Sequence, residues 1–373
     1  MTGCLIGTPF LYHTSYYFIR ELSMKAYIID RPNEMRYSDV QIPQIKEGEI
    51  LMKTRQVTVC VTDVYYYKGV IDPPHWPIIP GHEYMGEVVK SNNDRVKVGE
   101  NLVYWGQTEF GGLAEYRAIT PIFPDTKDDI PWRDHRGFYD ASGAAAVILN
   151  KQLPEMIATF LEPMCSILRT LLFCPPKPGD HALVIGAGPI GLIALQLFKN
   201  YYACPSVTIL EKNPHRLQVA VELGADYAFN PTKDRHTIEL LIKESGGAHV
   251  QYVFDTLSNV NDDVRILAME LLEREGVYNV FGATQKPQEI NTWLILAKGI
   301  HLRSTPFDVR TVPMWRSACV IDLAQKLLLH NVVAVSPLLS QTINFSDFNE
   351  VKNIFDHYGR DGILKSLIRF SDL

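Results

Sequence analysis

From Met24 to about Asn150, apolar and polar positions alternate in short runs. KAYII, EILMKTRQVTVC, MGEVVKS, GENLVYW and LAEYRAI have the period of a strand with one buried face, and Gly, Pro, Asn or Asp separates them. Helical periodicity is weak throughout this stretch, and CVTDVYYYKG, Cys60 to Gly69, reads either as a strand with an aromatic run or as the first half of a metal site, which the stretch by itself does not decide. From about Ala182 the pattern changes. ALVIGAGP, IGLIALQLFKNYY, SVTILEK, PHRLQVAVELGA, YVFDTL and YNVFGAT alternate apolar strands with helices, which predicts a parallel sheet covered on both faces. After about Thr305 the chain is mixed, with a helix over SACVIDLAQKLLLH and strands at LSQTINF and LKSLIRF.

This order predicts one domain inserted into another, with the tail completing the first. The expected divisions are an N-terminal extension over 1–23, a β-rich domain over 24–167, a doubly wound α/β domain over 168–305 and a C-terminal segment over 306–373. The length of 373 residues exceeds what one core supports, so two domains also follow from size alone.

Composition narrows the class without naming it. Hydrophobic residues at 46 % and charged residues at 21 % are those of a globular enzyme. The net charge of −6 is spread without a basic block, which argues against nucleic acid as a partner. Neither a run long enough to span a membrane nor a convincing signal peptide is present. The cysteines, Cys4, Cys60, Cys165, Cys174, Cys204 and Cys319, are dispersed without a CxxC pair, which favours a reducing cytoplasm over a disulfide framework.

GAGPIG is the strongest local motif. Gly186, Gly188 and Gly191 follow an apolar strand and lead, through Pro189 and Ile190, into an apolar-periodic helix. Glycines there permit a tight turn and close backbone approach to a pyrophosphate, and the helix N-terminus supplies N–H donors. Glu211 lies 20 residues beyond Gly191, at the end of SVTILE, where a carboxylate accepts from both ribose hydroxyls of an adenosine and repels a 2′-phosphate. The expected cofactor is therefore NAD rather than NADP, with Lys212 and Arg216 close by as opposing charges.

A metal site is the second candidate. Cys60 is followed 22 residues later by His82 and 80 residues after that by Glu162. Thiolate, imidazole and carboxylate are competent zinc ligands, and three of them plus water is a catalytic arrangement. Spacing this long leaves the alternative of a buried structural cysteine open.

CVTDVYYYKG, GHEYMGEVV, GGLAEY, LEPMCSILRTL and VIGAGPIGLIALQL, in that order, resemble the zinc-dependent medium-chain dehydrogenase/reductase family, nearest its sorbitol and polyol dehydrogenase branch. The resemblance runs from about Met24 to the C-terminus. It implies a GroES-like catalytic domain carrying an inserted Rossmann domain. It also implies one catalytic zinc held by Cys60 and His82 and, directly or through its water, by Glu162, with Glu83 as an optional or exchanging ligand, Thr62 as proton relay and Asp63 orienting His82. Cys165 is the rival of Glu162, but the EP context favours Glu162.

Three features depart from the family pattern. Val61 replaces the usual Gly after the first ligand, and Tyr65 stands where many members have a proton-exchanging His. No cysteines lie between Gly99 and Gly112, so no structural zinc is expected.

The implied reaction is NAD-linked interconversion of a secondary alcohol in a sugar, polyol or cyclitol with its ketone. Tyr66 and Trp105 are the expected substrate residues, and Glu109, Trp315, Asp308 and Arg310 are looser candidates. A homodimer or homotetramer is expected from the same resemblance. The competing readings are a zinc-free NAD(P)H reductase of the same fold, which would lack the Cys, GHE and EP set, and a nucleotide-binding protein without turnover.

Overall fold

β1 (Ser23–Arg31) and β2 (Glu34–Gln41) form an antiparallel hairpin that turns at Asn33, φ 63°. Asn is among the few non-glycine side chains that tolerate this conformation. The computed structural model describes residues 23–73, 75–105, 110–121, 123, 144–244, 249–258, 263–282, 287–305 and 314–370, without the side chains of 105, 144–147 and 314–318.

β3 (Ile50–Thr58) leads into a short helix, α1 (Val61–Tyr67), and then into β4 (Glu83–Ser91), β5 (Asn101–Trp105), β6 (Tyr116–Pro121) and β7 (Ala144–Ile148). The pairings β3–β4–β5–β7–β6, with β6 returning to β3, close a five-stranded barrel. Stacked Tyr84 and Tyr104, 4.7 Å apart, are fully buried in its core.

The aromatic run CVTDVYYYKG is helical, not the strand its composition predicts. Cys60 is an extended N-cap, and Asp63, at the third helical position, accepts a hydrogen bond from the Cys60 backbone N–H at 3.1 Å. Such a capping box ties the first turn together and overrides the strand preference of Val, Thr and Tyr.

α2 (Leu161–Phe173) joins the barrel to the second domain, and every residue from Leu161 to Leu171 is buried. β8 (Ala182–Ile185), α3 (Pro189–Gln196), β9 (Val207–Leu210), α4 (Pro214–Glu222), β10 (Tyr227–Phe229), α5 (Arg235–Glu244), β11 (Val250–Asp255), α6 (Asp263–Leu271), β12 (Leu272–Val280), α7 (Thr292–Lys298) and β13 (His301–Ser304) follow. The strands form one parallel sheet in the order β10-β9-β8-β11-β12-β13. That is a Rossmann order, and its direction reverses between β8 and β11, where ligands of such sheets bind. β8 and β9 are buried at every residue, which accounts for their unbroken apolar runs.

The chain then returns to the first domain. α8 (Met314–Leu329) packs on α2. β14 (Leu339–Asn344), α9 (Phe348–Asp356) and β15 (Lys365–Arg369) follow, with β15 parallel to β14 and antiparallel to the end of β3. Residues 1–22 lie outside the described residues.

Candidate active site

The N-terminus of α1 and the start of β4 bring the first candidate ligands together. One donor atom each from Cys60, His82 and Glu83 lies within 4.8 Å of the others, the one such group of three among the described residues. Asp63 organises the approach. Its buried carboxylate accepts from the Cys60 N–H, from the Gly81 N–H at 2.8 Å, and pairs with His82 Nδ1 at 3.1 Å. This leaves His82 Nε2 as the ring nitrogen available to the cluster. Gly81 is required where it stands: φ is +96°, and a Cβ would come 2.9 Å from the Leu113 nitrogen.

Glu83 points inward from β4 and is fully buried. It accepts from Thr58 Oγ1 at 2.6 Å and forms an ion pair with Lys365 of β15, itself 2 % exposed. Burial works against the charged Lys365, but Glu83, Cys60 and Tyr358 outweigh it and hold its pKa above the usual lysine value.

Glu162, in the first turn of α2, stands outside the close trio but within its field. Burial pushes its pKa up to about 7, Glu83 adds to this, and His82 and a 3.1 Å bond from Ser166 Oγ oppose it. Cys165 is completely buried one turn along, its pKa raised by that burial. The Thr62 hydroxyl lies 3.8 Å from the Cys60 thiol.

The donor set fits a zinc ion. Its chemistry is that of ordinary zinc ligands. Although burial disfavours the charged imidazole, Asp63 and Cys60 hold the His82 pKa well above its usual value, so the site favours positive charge among its donors.

In the nucleotide domain, Gly186 has φ 95°, and a Cβ on Gly191 would lie 1.9 Å from the Gly186 carbonyl oxygen, so only glycine permits this crossing of turn and helix. Gly188 is an extended N-cap facing open space, with Pro189 and Ile190 opening α3. Glu211 is fixed by backbone N–H donors: Ala187 at 2.8 Å, Lys212 at 2.7 Å and Asn213 at 2.8 Å. Arg216 donates to the Ile363 carbonyl at 3.1 Å, so it touches the catalytic domain, and its backbone N–H donates to Asn213, whose own N–H donates to Glu211. Tyr65 also crosses between domains. Its hydroxyl bonds the Ser258 side chain, just beyond β11, and burial keeps its pKa above the usual phenol value.

Tyr66, the expected pocket wall, is 2 % exposed, with its ring packed edge-on at 4.8 Å against Phe110. Phe110 is only partly buried and also meets the His82 ring at 4.9 Å. The side chains of Trp105 and Trp315, and residues Glu109, Asp308 and Arg310, lie outside the described residues. Sequence reasoning missed Phe110, Lys365 and Tyr358. A lysine inside the apolar strand LKSLIRF was the one signal available for Lys365.

A model of the alcohol dehydrogenase GroES-like domain matches residues 46–121, and one of the zinc-binding dehydrogenases matches residues 189–325. D-arabinitol dehydrogenase 1 of Uromyces fabae is 28 % identical across 72 % of this chain and 78 % of its own. Two solved structures share the fold at a TM-score of 0.75. One is an Escherichia coli RspB complexed with NADH, 20 % identical over 94 % of this chain and 100 % of that one. The other is the galactitol-1-phosphate dehydrogenase of Escherichia coli, 19 % identical over 93 % and 100 %. The fold and the matched domains define a two-domain dehydrogenase. The chain belongs to the zinc-type medium-chain dehydrogenase/reductase family, near its polyol dehydrogenase branch.

Proposed function

We propose that this protein is a zinc-dependent, NAD-linked dehydrogenase that interconverts a secondary alcohol of a sugar, polyol or cyclitol with its ketone. The observation that carries the reading is the convergence of Cys60, His82 and Glu83 around a His82 ring oriented by Asp63. Cys60, His82 and Glu162 would hold one zinc, with Glu83 exchanging in from its pair with Lys365. A bound zinc supplies Lewis acidity toward an alcohol or carbonyl oxygen, and a bound nicotinamide dinucleotide supplies the hydride carrier.

The chain's own residues do the rest. Asp63 fixes the His82 tautomer through Nδ1, as outer-shell carboxylates do for zinc-binding imidazoles. Thr62 Oγ1 accepts the substrate hydroxyl proton as it gives up its own toward solvent. Tyr65, in place of an imidazole, continues the path as a neutral phenol that passes a proton only by exchanging one, since its raised pKa keeps it protonated near neutral pH. Gly186, Gly188, Pro189, Ile190 and Gly191 receive the pyrophosphate, and Glu211 the adenosine ribose, which favours NAD. Phe110 shields His82 from water and, with Tyr66 behind it, bounds the substrate side.

The cysteines of the described residues are all free, which supports a reducing, cytoplasmic setting. No helix among those residues is long and apolar enough to cross a membrane.

Elemental analysis combined with turnover of a polyol, sugar and cyclitol panel, using NAD and NADP in parallel, tests the reading. About one zinc per chain is expected, lost together with turnover in Cys60→Ser. Full activity in zinc-free protein would overturn it.

A further inference from the structure

The two domains meet at a turn that belongs to neither candidate site. After α9 the chain passes through Tyr358 to Ile363 with Gly359 at φ 75°, Asp361 at 52° and Gly362 at 79°. Three left-handed residues in so short a stretch make a tight, sequence-demanding turn.

Contact demands the glycines as well. A Cβ on Gly362 would lie 2.7 Å from His215 Nδ1, and one on Gly359 would lie 2.9 Å from Arg216 Nη2. His215 and Arg216 form the first turn of α4, directly after the Asn213 N-cap whose own N–H is held by Glu211. Arg216 completes the grip by donating to the Ile363 carbonyl at 3.1 Å. The catalytic domain is thus seated on the segment that follows the adenosine-binding carboxylate.

The other end of the turn leads to the metal-ligand cluster. Lys365, two residues past Ile363, is the buried partner of Glu83. Tyr358, at the start of the turn, lies within electrostatic reach of Cys60, Glu83 and Lys365 as well as Arg216. On its outer side the turn borders a solvent-open recess of ≈ 170 Å³, with Asn353, His357, Arg360 and Asp361 exposed around it. It therefore has room to shift, which close-packed interiors do not allow.

We propose that the Tyr358–Ile363 turn transmits occupancy of the adenosine end of the nucleotide site to the Cys60–His82–Glu83 cluster, with Gly362 and Arg216 as positioning residues. The proposal rests on the nucleotide-site reading given above. A ligand that engages Glu211 bears on Arg216 through Asn213, which donates to Glu211 and accepts from the Arg216 N–H, and Arg216 holds or releases the Ile363 carbonyl. Movement of that carbonyl carries Lys365 relative to Glu83. A buried ion pair responds steeply to separation, so a small displacement suffices.

AMP is the probe, because it fills the adenosine end and has no nicotinamide to cover the cluster. The readout is the rate of Cys60 alkylation by iodoacetamide in the full-length protein as purified, followed by peptide mass spectrometry, with AMP binding measured separately by calorimetry. Saturating AMP is expected to change that rate by about fivefold or more in the unaltered protein, within the usual range of coupling between sites. Gly362→Ala, and Arg216→Met as a second variant that leaves the turn's glycines intact, are expected to abolish the response at saturating AMP. Binding of AMP without a change in Cys60 reactivity overturns the proposal alone, as does a full response in both variants. Absence of AMP binding to the unaltered protein overturns the nucleotide-site reading, and this proposal with it.

Discussion

At the scale of single residues, the site is governed by charges taken out of water. Glu83 and Lys365 are each almost fully buried and neutralise one another. Removing one partner of such a pair leaves the other stranded, so Lys365→Met is expected to destabilise the fold by about 3–5 kcal/mol. Urea unfolding measures this, and adding Glu83→Gln should recover much of the loss. Glu162 gives the site a pH signature. Its pKa rises from an ordinary 4.5 to about 7 on burial. Between those values the native state keeps a proton that the unfolded chain has released, so stability falls as pH rises through that window and levels off above it. For metal-free protein the fall is about 3 kcal/mol. Unfolding at pH 5 and pH 7 is expected to show it, and Glu162→Gln should flatten it; an equal slope in the variant would assign the effect to another group. The meeting of Cys60, His82 and Glu83 was legible because CVTDV and GHE are short recognisable stretches. Lys365 was not, because its partner is 282 positions away and no local pattern encodes that meeting.

At the scale of elements, pattern and structure agree wherever one face or both faces of a segment are buried in sequence. The continuous runs ALVI and VTIL are central parallel strands, and LSQTINF alternates along β14. α1 was misread because β-branched and aromatic residues favour strands, while the helix depends on one backbone-to-carboxylate bond at its first turn. The same carboxylate orients His82, so the device that makes the helix also sets the site. The glycine turn before α3 is more demanding still. Gly191→Ala would drive a Cβ into the Gly186 carbonyl, and what it meets is backbone, so no neighbouring side chain can move to relieve it. Loss of NADH binding in a fluorescence titration is the expected result; binding within about twofold of the unaltered protein would show that the turn yields more readily than close packing suggests.

At the scale of the molecule, the insertion of one domain into the other was legible from the change in periodicity near Ala182. The closure of the barrel was not, since β6 returns to β3 without any sign in either strand alone. Among the described residues the nucleotide sheet ends at β13, whose four residues are all exposed, Leu302 at 45 %, and nearby Trp293 is 70 % exposed and Leu296 76 %. Bare sheet edges and grouped apolar side chains are costly to leave in water. Sedimentation is therefore expected to find at least a dimer, reduced to monomers by Leu296→Glu with Leu302→Lys; a monomeric unaltered protein at micromolar concentration would sink the assignment of this edge. The pairing of β15 with the end of β3 also sets an order of events during synthesis. On the ribosome, β6 can pair with Ile50 to Lys53 of β3, but Gln56 to Thr58 must wait unpaired on that flank while the whole inserted domain is made. The end of β3 thus stays open until β15 appears, and a stall in translation between Leu329 and Lys365 would leave a finished nucleotide domain tethered to a barrel with that short edge bare.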